Sequence, residues 1–433
     1  MEKRVIFHVD ANSAFLSWTA AYRVRVLGDP VDLREIPAVI AGDKNTRQGI
    51  VLAKSVPAKK YGIQTGEPLF QALEKCPELV VAPPDYGLYV EASRHFVEVL
   101  RQFSPQVEQY SIDEAWVDMT GTGRLYGDPR LAAEKMRERI WQELGFTVNV
   151  GISTNKILAK MAGDFEKPNK VHTLYPWEVA EKMWPLPVRN LFLVGSATEK
   201  KLKGMGIYTI GDLANAELSI LRKRLGKPGE TIWHFANGRN ADLVMPEPME
   251  NKGYGNSVTT PQDVTTRAVA YRVLLSLCET VAMRMRKDGK CGSCITIQLR
   301  DSNFRDFSHQ MQLSGATNIT SELFEAACVA LDDAWDGQTP LRQLGVQVTK
   351  LAKEPYQQYD LFSGVTPQQY ERKLRLDEAV DGLRDKFGEN IIRRAKFTQQ
   401  PDEHMAGGLS KARRTGVTKP VPKEFSLEKS EDV

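Results

Sequence analysis

Two adjacent carboxylates lie within the apolar segment Val107-Glu-Gln-Tyr-Ser-Ile-Asp-Glu-Ala-Trp-Val-Asp-Met119. Its apolar pattern predicts two β-strands that meet near the adjacent carboxylates Asp113 and Glu114. A second β-rich run, near the N-terminus, ends at Asp10, which predicts a buried strand that delivers this carboxylate to its end. Magnesium prefers oxygen ligands and takes few protein carboxylates, so these acids are candidate metal ligands. An Asp-Glu pair alone, however, is more often a solvated turn.

Other predicted elements place these acids in a sheet domain. Residues 147–152 predict a third strand, and residues 130–144 predict a helix between the strands. A further helix is expected after Asp10, through Phe15 and Trp18. This mixture of strands and helices predicts an α+β domain.

Length and composition limit the class of protein. At 433 residues the chain exceeds the roughly 250–300 residues that one core supports, so three or four domains are expected. The composition is that of a soluble protein, and no apolar run approaches the roughly 18 residues of a membrane span. The N-terminal apolar run, interrupted by His8 and Asp10, is too short for a signal peptide, which predicts a cytoplasmic protein. A net charge of +3 neither demands nor excludes nucleic acid.

Five dispersed cysteines favour reduced thiols over a disulfide framework. Cys291 and Cys294 have the spacing of half a zinc site or of a redox pair. A structural zinc site usually needs four ligands, and the sequence offers no second Cys or His pair at a matching spacing. We therefore interpret both residues as cysteines without a metal or redox role.

The second half of the chain has a different character. Beyond residue 175, short helical patterns punctuated by glycine predict a small helical module that is locally basic. Residues 245–252 carry two prolines and predict an extended linker. The domain that follows contains a long helical pattern at 267–287 and a strand-like run at 294–299.

Three ordered motifs include the candidate acids. They are His8-Val-Asp-Ala-Asn-Ser-Ala-Phe15, Tyr110-Ser-Ile-Asp-Glu-Ala-Trp116, and residues 151–169, which end in Lys-Pro-Asn. In this order and at these separations they resemble the motifs of the Y-family translesion DNA polymerases, particularly the bacterial DNA polymerase IV type. This context changes the interpretation of the Asp-Glu pair from a turn to a metal site.

The resemblance covers the chain to about residue 400. It implies an α+β multidomain fold, a right-hand polymerase with a palm, small fingers, a helical thumb with a helix-hairpin-helix, and an α+β little finger. The implied boundaries are palm 1–13 and 85–174, fingers 14–84, thumb 175–241, linker 242–252, little finger 253–352, clamp-binding peptide and helix 353–400, and disordered tail 401–433.

The resemblance also implies the chemistry. Asp10, Asp113 and Glu114 would bind two Mg²⁺ ions together with the backbone carbonyl of Ala11, and would support template-directed, low-fidelity translesion DNA synthesis without proofreading. The implied partners are primer-template DNA and deoxynucleoside triphosphates, and the protein is expected to be a monomer without a membrane partner. The alternatives are a catalytically weak DNA- and clamp-binding factor descended from a polymerase, and another two-metal enzyme such as a nucleotide cyclase.

Three residues are implied to contact the nucleotide. Phe15 falls at the aromatic position that stacks under the sugar and excludes a 2′-hydroxyl, although periodicity alone predicts a core-facing helix residue. Lys167 would contact the triphosphate, although by itself it is a typical surface lysine. Lys59 replaces a common arginine, keeping the charge but not the bidentate geometry, and Val56 replaces a common tyrosine. Asn12 replaces a frequent aspartate and is expected not to bind metal.

Two further segments are implied to bind macromolecules. Gly204 and Gly206 resemble a hairpin that offers backbone N–H groups to DNA phosphate, although such glycines also simply end helices. Gln358, Leu361 and Phe362 fit the Gln-x-x-Leu-Phe form of peptides that bind the bacterial sliding clamp, in which the apolar pair fills a pocket. A five-residue pattern of this kind also recurs by chance.

Overall fold

The computed structural model describes residues 4–42, 49–247, 250–353, 356–357 and 367–398. The chain divides into two compact units, the first containing residues 4–41 and 50–247 and the second containing the described residues after 249. The predicted clamp peptide at 358–362 and the predicted tail at 401–433 lie outside the described residues. Where the chain is described, none of its helices has the length and apolarity needed to cross a membrane.

The first unit contains both strands and helices. Its strands are β1 (Ile6–Ala11), β2 (Ala38–Ala41), β3 (Val51–Lys54), β4 (Val80–Ala82), β5 (Val107–Gln109), β6 (Glu114–Asp118), β7 (Val148–Ser153) and β8 (Val171–Thr173). Its α-helices are α1 (Ala14–Arg25), α2 (Val56–Lys60), α3 (Leu69–Lys75), α4 (Tyr86–Arg101), α5 (Gly123–Tyr126), α6 (Pro129–Leu144), α7 (Lys156–Gly163), α8 (Ser196–Lys203), α9 (Ile210–Asn215), α10 (Leu218–Leu225) and α11 (Lys227–Ala236). Short 3-10 and π-helical turns at Pro176–Glu178, Val179–Met183 and Val188–Asn190 connect α7 to α8 through β8.

The centre of the first unit is a five-stranded sheet in the order β5-β6-β1-β7-β8. All neighbouring strands are antiparallel except β7 and β8. The strands predicted at 107–119 and 147–152 are confirmed as β5, β6 and β7, and the helix predicted at 130–144 is confirmed as α6. The sheet thus brings the two acidic motifs to neighbouring strands.

The two faces of this sheet pack against different helices. Phe7 and Val9 of β1 are fully buried in a core shared with α1, α4 and α6. Because side chains alternate along a strand, Ile6 and Asp10 emerge on the opposite face. There Ile6 packs against Ala159 of α7. The acids and α7 therefore share one face of the sheet.

The residues between β1 and β5 form a smaller sheet of three strands, in the order β3-β2-β4. Its core is formed with α2 and α3 and includes Val39, Ala58 and Leu69. The Ser55 hydroxyl accepts from the Ala58 N–H at 3.1 Å and so caps the first turn of α2. This cap positions Val56 and Lys59 on a short, fixed helix.

Helices α8 to α11 form the predicted helical module, with a core that also includes residues of α7. The hairpin predicted at 202–207 is a helix-turn-helix in which α8 ends before Gly204 and α9 begins at Ile210. Gly206 has a φ of 79°, which favours glycine because it carries no Cβ. The Thr209 hydroxyl accepts from the Asp212 N–H at 3.0 Å and caps α9.

The second unit is a sheet covered by helices. Its strands β9 (Gly253–Val264), β10 (Cys291–Asp301), β11 (Asp306–Thr317), β12 (Leu341–Ala352) and β13 (Tyr356–Gln357) lie in the order β13-β11-β10-β12-β9. Helices α12 (Arg267–Lys287) and α13 (Thr320–Ala334) pack on it and form its core. The helix predicted at 267–287 and the strand predicted at 294–299 are both confirmed. Cys291 and Cys294 are buried in β10, and none of the cysteines in the described chain forms a disulfide.

A further helix, α14 (Pro367–Phe387), followed by a 3-10 turn at Ala395–Phe397, belongs to the second unit. Arg286 of α12 pairs with Asp377 at 3.1 Å and with Asp381 at 2.6 Å. Glu279 of α12, only 2% exposed, pairs with Arg384 at 3.0 Å. Charges this deeply buried are stable only when paired, so these contacts attach α14 to α12.

Candidate active site

The three predicted metal ligands meet at the ends of β1 and β6. Asp10 and Glu114 are direct partners in the antiparallel register of these strands. The Ala11 N–H donates to the Asp113 carbonyl oxygen at 2.9 Å, which fixes the neighbouring acid to the same strand end. The Ser111 hydroxyl donates to Asp113 Oδ1 at 2.6 Å. The structure therefore brings together acids that lie about a hundred residues apart in the sequence.

Asp10 is held by Lys167. The Lys167 ammonium contacts Asp10 Oδ2 and lies 2.8 Å from Asp164. Burial raises the pKa of Asp10, and nearby Asp113 adds to this, while Lys167 acts in the opposite direction. Burial alone would lower the pKa of Lys167, but the two carboxylates raise it above its ordinary value. Lys167 is therefore a cation at neutral pH.

Glu114 is held by two donors. His8 Nε2 lies 2.9 Å from Glu114 Oε2, and the Lys160 ammonium contacts the same oxygen. Burial raises the pKa of Glu114, but the hydrogen bonds from His8 and Lys160 outweigh it and bring the pKa to about 2. Burial lowers the pKa of His8, so this imidazole is neutral at neutral pH.

The donor set fits a divalent cation even though lysines neutralise two of the acids. In the described chain, no three His, Cys, Asp or Glu side chains form a ready-made metal cluster. Each acid nevertheless keeps one oxygen that accepts no hydrogen bond from the described residues: Asp10 Oδ1, Asp113 Oδ2 and Glu114 Oε1. Free carboxylate oxygens are the ligands that Mg²⁺ takes from proteins.

A cleft of about 290 Å³ opens beside Asp10, whereas Asp113 and Glu114 are not among its lining residues. It unites the end of β1 with the N-termini of α1 and α2, and it contains both lysines that the sequence assigned to the triphosphate. The lining residues are Asp10, Ala11, Asn12, Ser13, Leu16, Ser17, Asp32, Arg34, Glu35, Ser55, Val56, Lys59, Trp141, Thr147, Lys167 and Pro168. Three basic side chains and three acidic side chains therefore line the same cleft.

Two residues flank the cleft in ways that bear on their predicted roles. Asn12 is buried and lines the cleft, and its side-chain amide donates to the Thr147 hydroxyl at 3.3 Å. Phe15 is half-buried and stacks on Tyr89 with ring centroids 4.5 Å apart and an interplanar angle of 14°. Phe15 is not among the residues that line the cleft, so its role at the sugar stays a prediction.

The hairpin glycines use their N–H groups within the helix end. The Gly204 N–H donates to the Lys200 carbonyl at 3.1 Å, and the Gly206 N–H donates to the Lys203 carbonyl at 3.0 Å. Both glycines therefore end α8, as one of the two interpretations of the sequence predicts. Their contact with DNA stays a prediction.

Sequence reasoning did not identify the partners of Glu114. His8 is two residues before Asp10, so the period of a β-strand places both on one face. Lys160 lies one helical turn after Lys156 within the third motif. The two-residue spacing from Asp10 could have indicated from the sequence that His8 lies on the same face as the acids. The contact of Lys160 had no such signal, because it depends on how α7 packs on the sheet.

Three protein-family models match three separate parts of the chain. Residues 9–164 match the impB/mucB/samB family, residues 251–361 match the C-terminal domain of that family, and residues 189–240 match the thumb domain described for DNA polymerase-iota.

Similar curated proteins extend over most of the chain. DNA polymerase IV of Clostridium acetobutylicum is 41% identical over 92% of this chain and 100% of its own length. DNA polymerase IV of Acetivibrio thermocellus is 38% identical over 92% of this chain and 98% of its own. DNA polymerase IV 2 of Bacillus subtilis is 36% identical over 92% and 96%.

A solved structure, a Y-family DNA polymerase chimera, has the same fold. It aligns with a TM-score of 0.69 at 22% identity, over 81% of this chain and 100% of its own. At 22% identity this similarity shows a shared backbone fold.

Proposed function

This chain belongs to the Y family of DNA polymerases, and we propose that it extends a DNA primer by two-metal nucleotidyl transfer at Asp10, Asp113 and Glu114. It is a DNA-directed DNA polymerase with a catalytic domain, a thumb and a little finger. Its substrates are DNA and deoxynucleoside triphosphates. We further propose that synthesis is low in fidelity, bypasses lesions and proceeds without proofreading, as the family context supports.

One observation carries the choice of metal ligands. Asp10, Asp113 and Glu114 lie at one strand end, and each presents an oxygen that accepts no hydrogen bond from the described residues. When bound there, two Mg²⁺ ions supply charge stabilisation to the attacking and leaving oxygens of an in-line displacement. The carboxylates would orient these ions, and the place of Asp10 within β1, paired across the sheet with Glu114, keeps its position fixed.

The cleft supports a place for the triphosphate. Lys59 and Lys167 contribute two ammonium groups to it, next to Asp10. A nucleotide held there would present its α-phosphorus to the primer 3′-oxygen, and pyrophosphate would leave. Lys167 would then exchange its contact with Asp10 for contact with phosphate, since both partners are anionic. Val56 lines the cleft without a polar group to offer.

Primer extension tests this proposal. Wild-type protein with Mg²⁺ is expected to extend a primer on undamaged and abasic templates, and Asp113→Ala is expected to abolish extension. Equal extension by both proteins would overturn the assignment of the acids. No extension by wild-type protein would instead favour a catalytically weak DNA- and clamp-binding factor.

We also propose that residues 358–362 bind the bacterial sliding clamp, on the sequence Gln-Tyr-Asp-Leu-Phe alone. Leu361 and Phe362 would fill an apolar pocket while Gln358 fixes the orientation. Changing Leu361 and Phe362 together to Ala should remove stimulation of synthesis by the clamp and leave clamp-free synthesis intact. Full stimulation of the variant would refute this role. A monomer that acts in the bacterial cytoplasm fits this activity and stays a prediction.

A further inference from the structure

Glu114 is held through one oxygen only. Lys160 and His8 both contact Oε2, while Oε1 accepts no hydrogen bond from the described residues. We propose that Lys160 and His8 are positioning residues, which hold the Glu114 carboxylate by Oε2 so that Oε1 faces a bound divalent cation. This inference rests on the proposed metal site.

The Lys160 ammonium has a fixed place. Its side chain is 12% exposed, and Nζ lies 3.5 Å from His8 Nε2 as well as against Glu114. The ring centroids of Tyr110 and Phe192 lie 5.6 and 5.2 Å from Nζ, within the range of cation–π attraction. Two aromatic rings and one carboxylate therefore all lie close to this ammonium.

The hydrogen bond of His8 has a defined direction. His8 Nδ1 is buried and has no hydrogen-bond partner among the described residues. A carboxylate oxygen accepts hydrogen bonds and does not donate them, so at 2.9 Å His8 Nε2 donates to Glu114 Oε2. A Cβ added to Gly163 would lie 3.4 Å from Nδ1, so the glycine allows α7 to pass close to the ring.

Close packing of α7 on β7 brings Lys160 to the acid. A Cβ at Gly151 would lie 2.0 Å from the Ala159 carbonyl oxygen and 2.4 Å from the Gly163 nitrogen. Only glycine fits at this contact, because any Cβ would push the helix away from the strand. The position of Lys160 over Glu114 is thus set by a backbone-to-backbone contact.

A second lysine on α7 supplies a contrast. Lys156, one turn earlier, pairs with Glu108 at 2.6 Å and with nothing among the predicted metal ligands. This pair therefore neutralises a carboxylate that lies outside the predicted metal site. If Lys160 likewise only neutralises the charge of Glu114, its ammonium competes with a metal ion for that carboxylate. Removing the ammonium would then strengthen metal binding, whereas removing a positioning residue would weaken it. The two roles predict opposite changes in metal affinity.

Measuring metal binding by the full chain distinguishes positioning of Glu114 from neutralisation of its charge. Mn²⁺ binding, followed by electron paramagnetic resonance without DNA or nucleotide, is measured for wild type, Lys160→Met and His8→Phe. Loss of a hydrogen-bonding partner of a metal ligand typically weakens metal affinity about 10- to 100-fold, and this loss is expected in both variants. Unchanged or tighter Mn²⁺ binding by Lys160→Met would overturn the positioning role.

Matched variants control for charge and for folding. Lys135→Met removes one exposed ammonium on α6 and should leave Mn²⁺ binding within twofold of wild type. His8→Gln keeps an N–H donor and should lose less affinity than His8→Phe, whereas equal losses would count against the donor role. Melting temperatures identify any variant that does not fold.

Steady-state kinetics add an independent readout. Lys160→Met is expected to lower kcat about 10-fold while the KM for the nucleotide stays within twofold, because Lys160 contacts the acid and not the triphosphate cleft. A rise in KM at constant kcat would overturn the assignment. Wild type and Asp113→Ala are assayed alongside. If these two do not differ, the proposed function fails; if they differ and Lys160→Met equals wild type, only this inference fails.

Discussion

Asp10 and Glu114 are direct partners across two antiparallel strands, so their side chains leave the central sheet on the same face. The register alone brings together two motifs from distant parts of the chain. The same face carries α7, whose Lys160 contacts Glu114. The acids therefore share a scaffold of strand ends and one closely packed helix.

Replacing Phe15 tests its role at the sugar. Phe15→Ala is expected to raise ribonucleotide incorporation relative to deoxyribonucleotide incorporation by about 10- to 200-fold, because a lost steric contact is worth about 1–3 kcal/mol of discrimination. The measurement is the ratio of kcat/KM for the two nucleotides. Phe15 also stacks on Tyr89. If Phe15 serves only that packing, Phe15→Ala will lower the melting temperature while sugar discrimination stays the same.

Replacing Gly151 tests the close approach of α7. Gly151→Ala places a Cβ 2.0 Å from the Ala159 carbonyl oxygen. The expected result is a loss of about 1–3 kcal/mol in unfolding free energy, with lower polymerase activity as Lys160 moves. Gly123→Ala is the control, since its Cβ would meet no atom within 4 Å. A Gly151→Ala protein as stable as the control would contradict the packing argument.

The pKa of Glu114 predicts how stability depends on pH. In the folded chain hydrogen bonds from His8 and Lys160 lower this pKa from 4.5 to about 2. The folded state therefore binds fewer protons than the unfolded state between these values, and stability falls as pH falls. The contribution of Glu114 is complete above about pH 5 and is lost progressively towards pH 2.

Melting curves of wild type and Glu114→Gln check this dependence. The difference in melting temperature between the two proteins is expected to be constant from pH 7 to 5 and to shrink below pH 4.5. A difference that grows as the solution is acidified would contradict the direction of the pKa shift.

Replacing Glu279 tests the attachment of α14. Glu279 is 2% exposed and pairs with Arg384 and Arg394. Glu279→Ala leaves the buried Arg384 guanidinium without this carboxylate, which is expected to destabilise the second unit by about 3–5 kcal/mol. Urea unfolding of the full chain measures the change, and limited proteolysis reports cleavage within α14.

Glu371→Ala is the matched control for that variant. Its pair with Arg375 is exposed, with side chains 60% and 74% accessible. Exposed pairs of this kind contribute about 0.2–1 kcal/mol, so the control should unfold almost as wild type does. If both variants unfold alike, the buried network does not attach the helix.

Much of the local structure was predictable because local patterns encode it. The period-2 pattern around Asp113 predicted β5 and β6, and the helical pattern at 267–287 matches α12 residue for residue. Glycine punctuation predicted the small helical module, whereas the hairpin at Gly206 was implied by the family resemblance. In each case the signal lies within about 20 residues of sequence.

The electrostatic partners of the site were not predictable in that way. The sequence analysis assigned no role to Lys160, and it assigned Lys167 to phosphate rather than to a pair with Asp10. Likewise, the attachment of α14 by Glu279 joins residues more than a hundred positions apart. Long-range ion pairs have no periodic signature, so nothing in the sequence pattern selects one carboxylate for one lysine.

The sequence by itself determined the order of the motifs, the strands that end in acids, the long helix of the second unit and the family. The tertiary structure alone decided which oxygen of each acid is engaged and which is free. The physical reason is that β-strand and helix periods act over a few residues, whereas the contact of Lys160 with Glu114 requires α7 to lie against β7 at the distance that Gly151 permits.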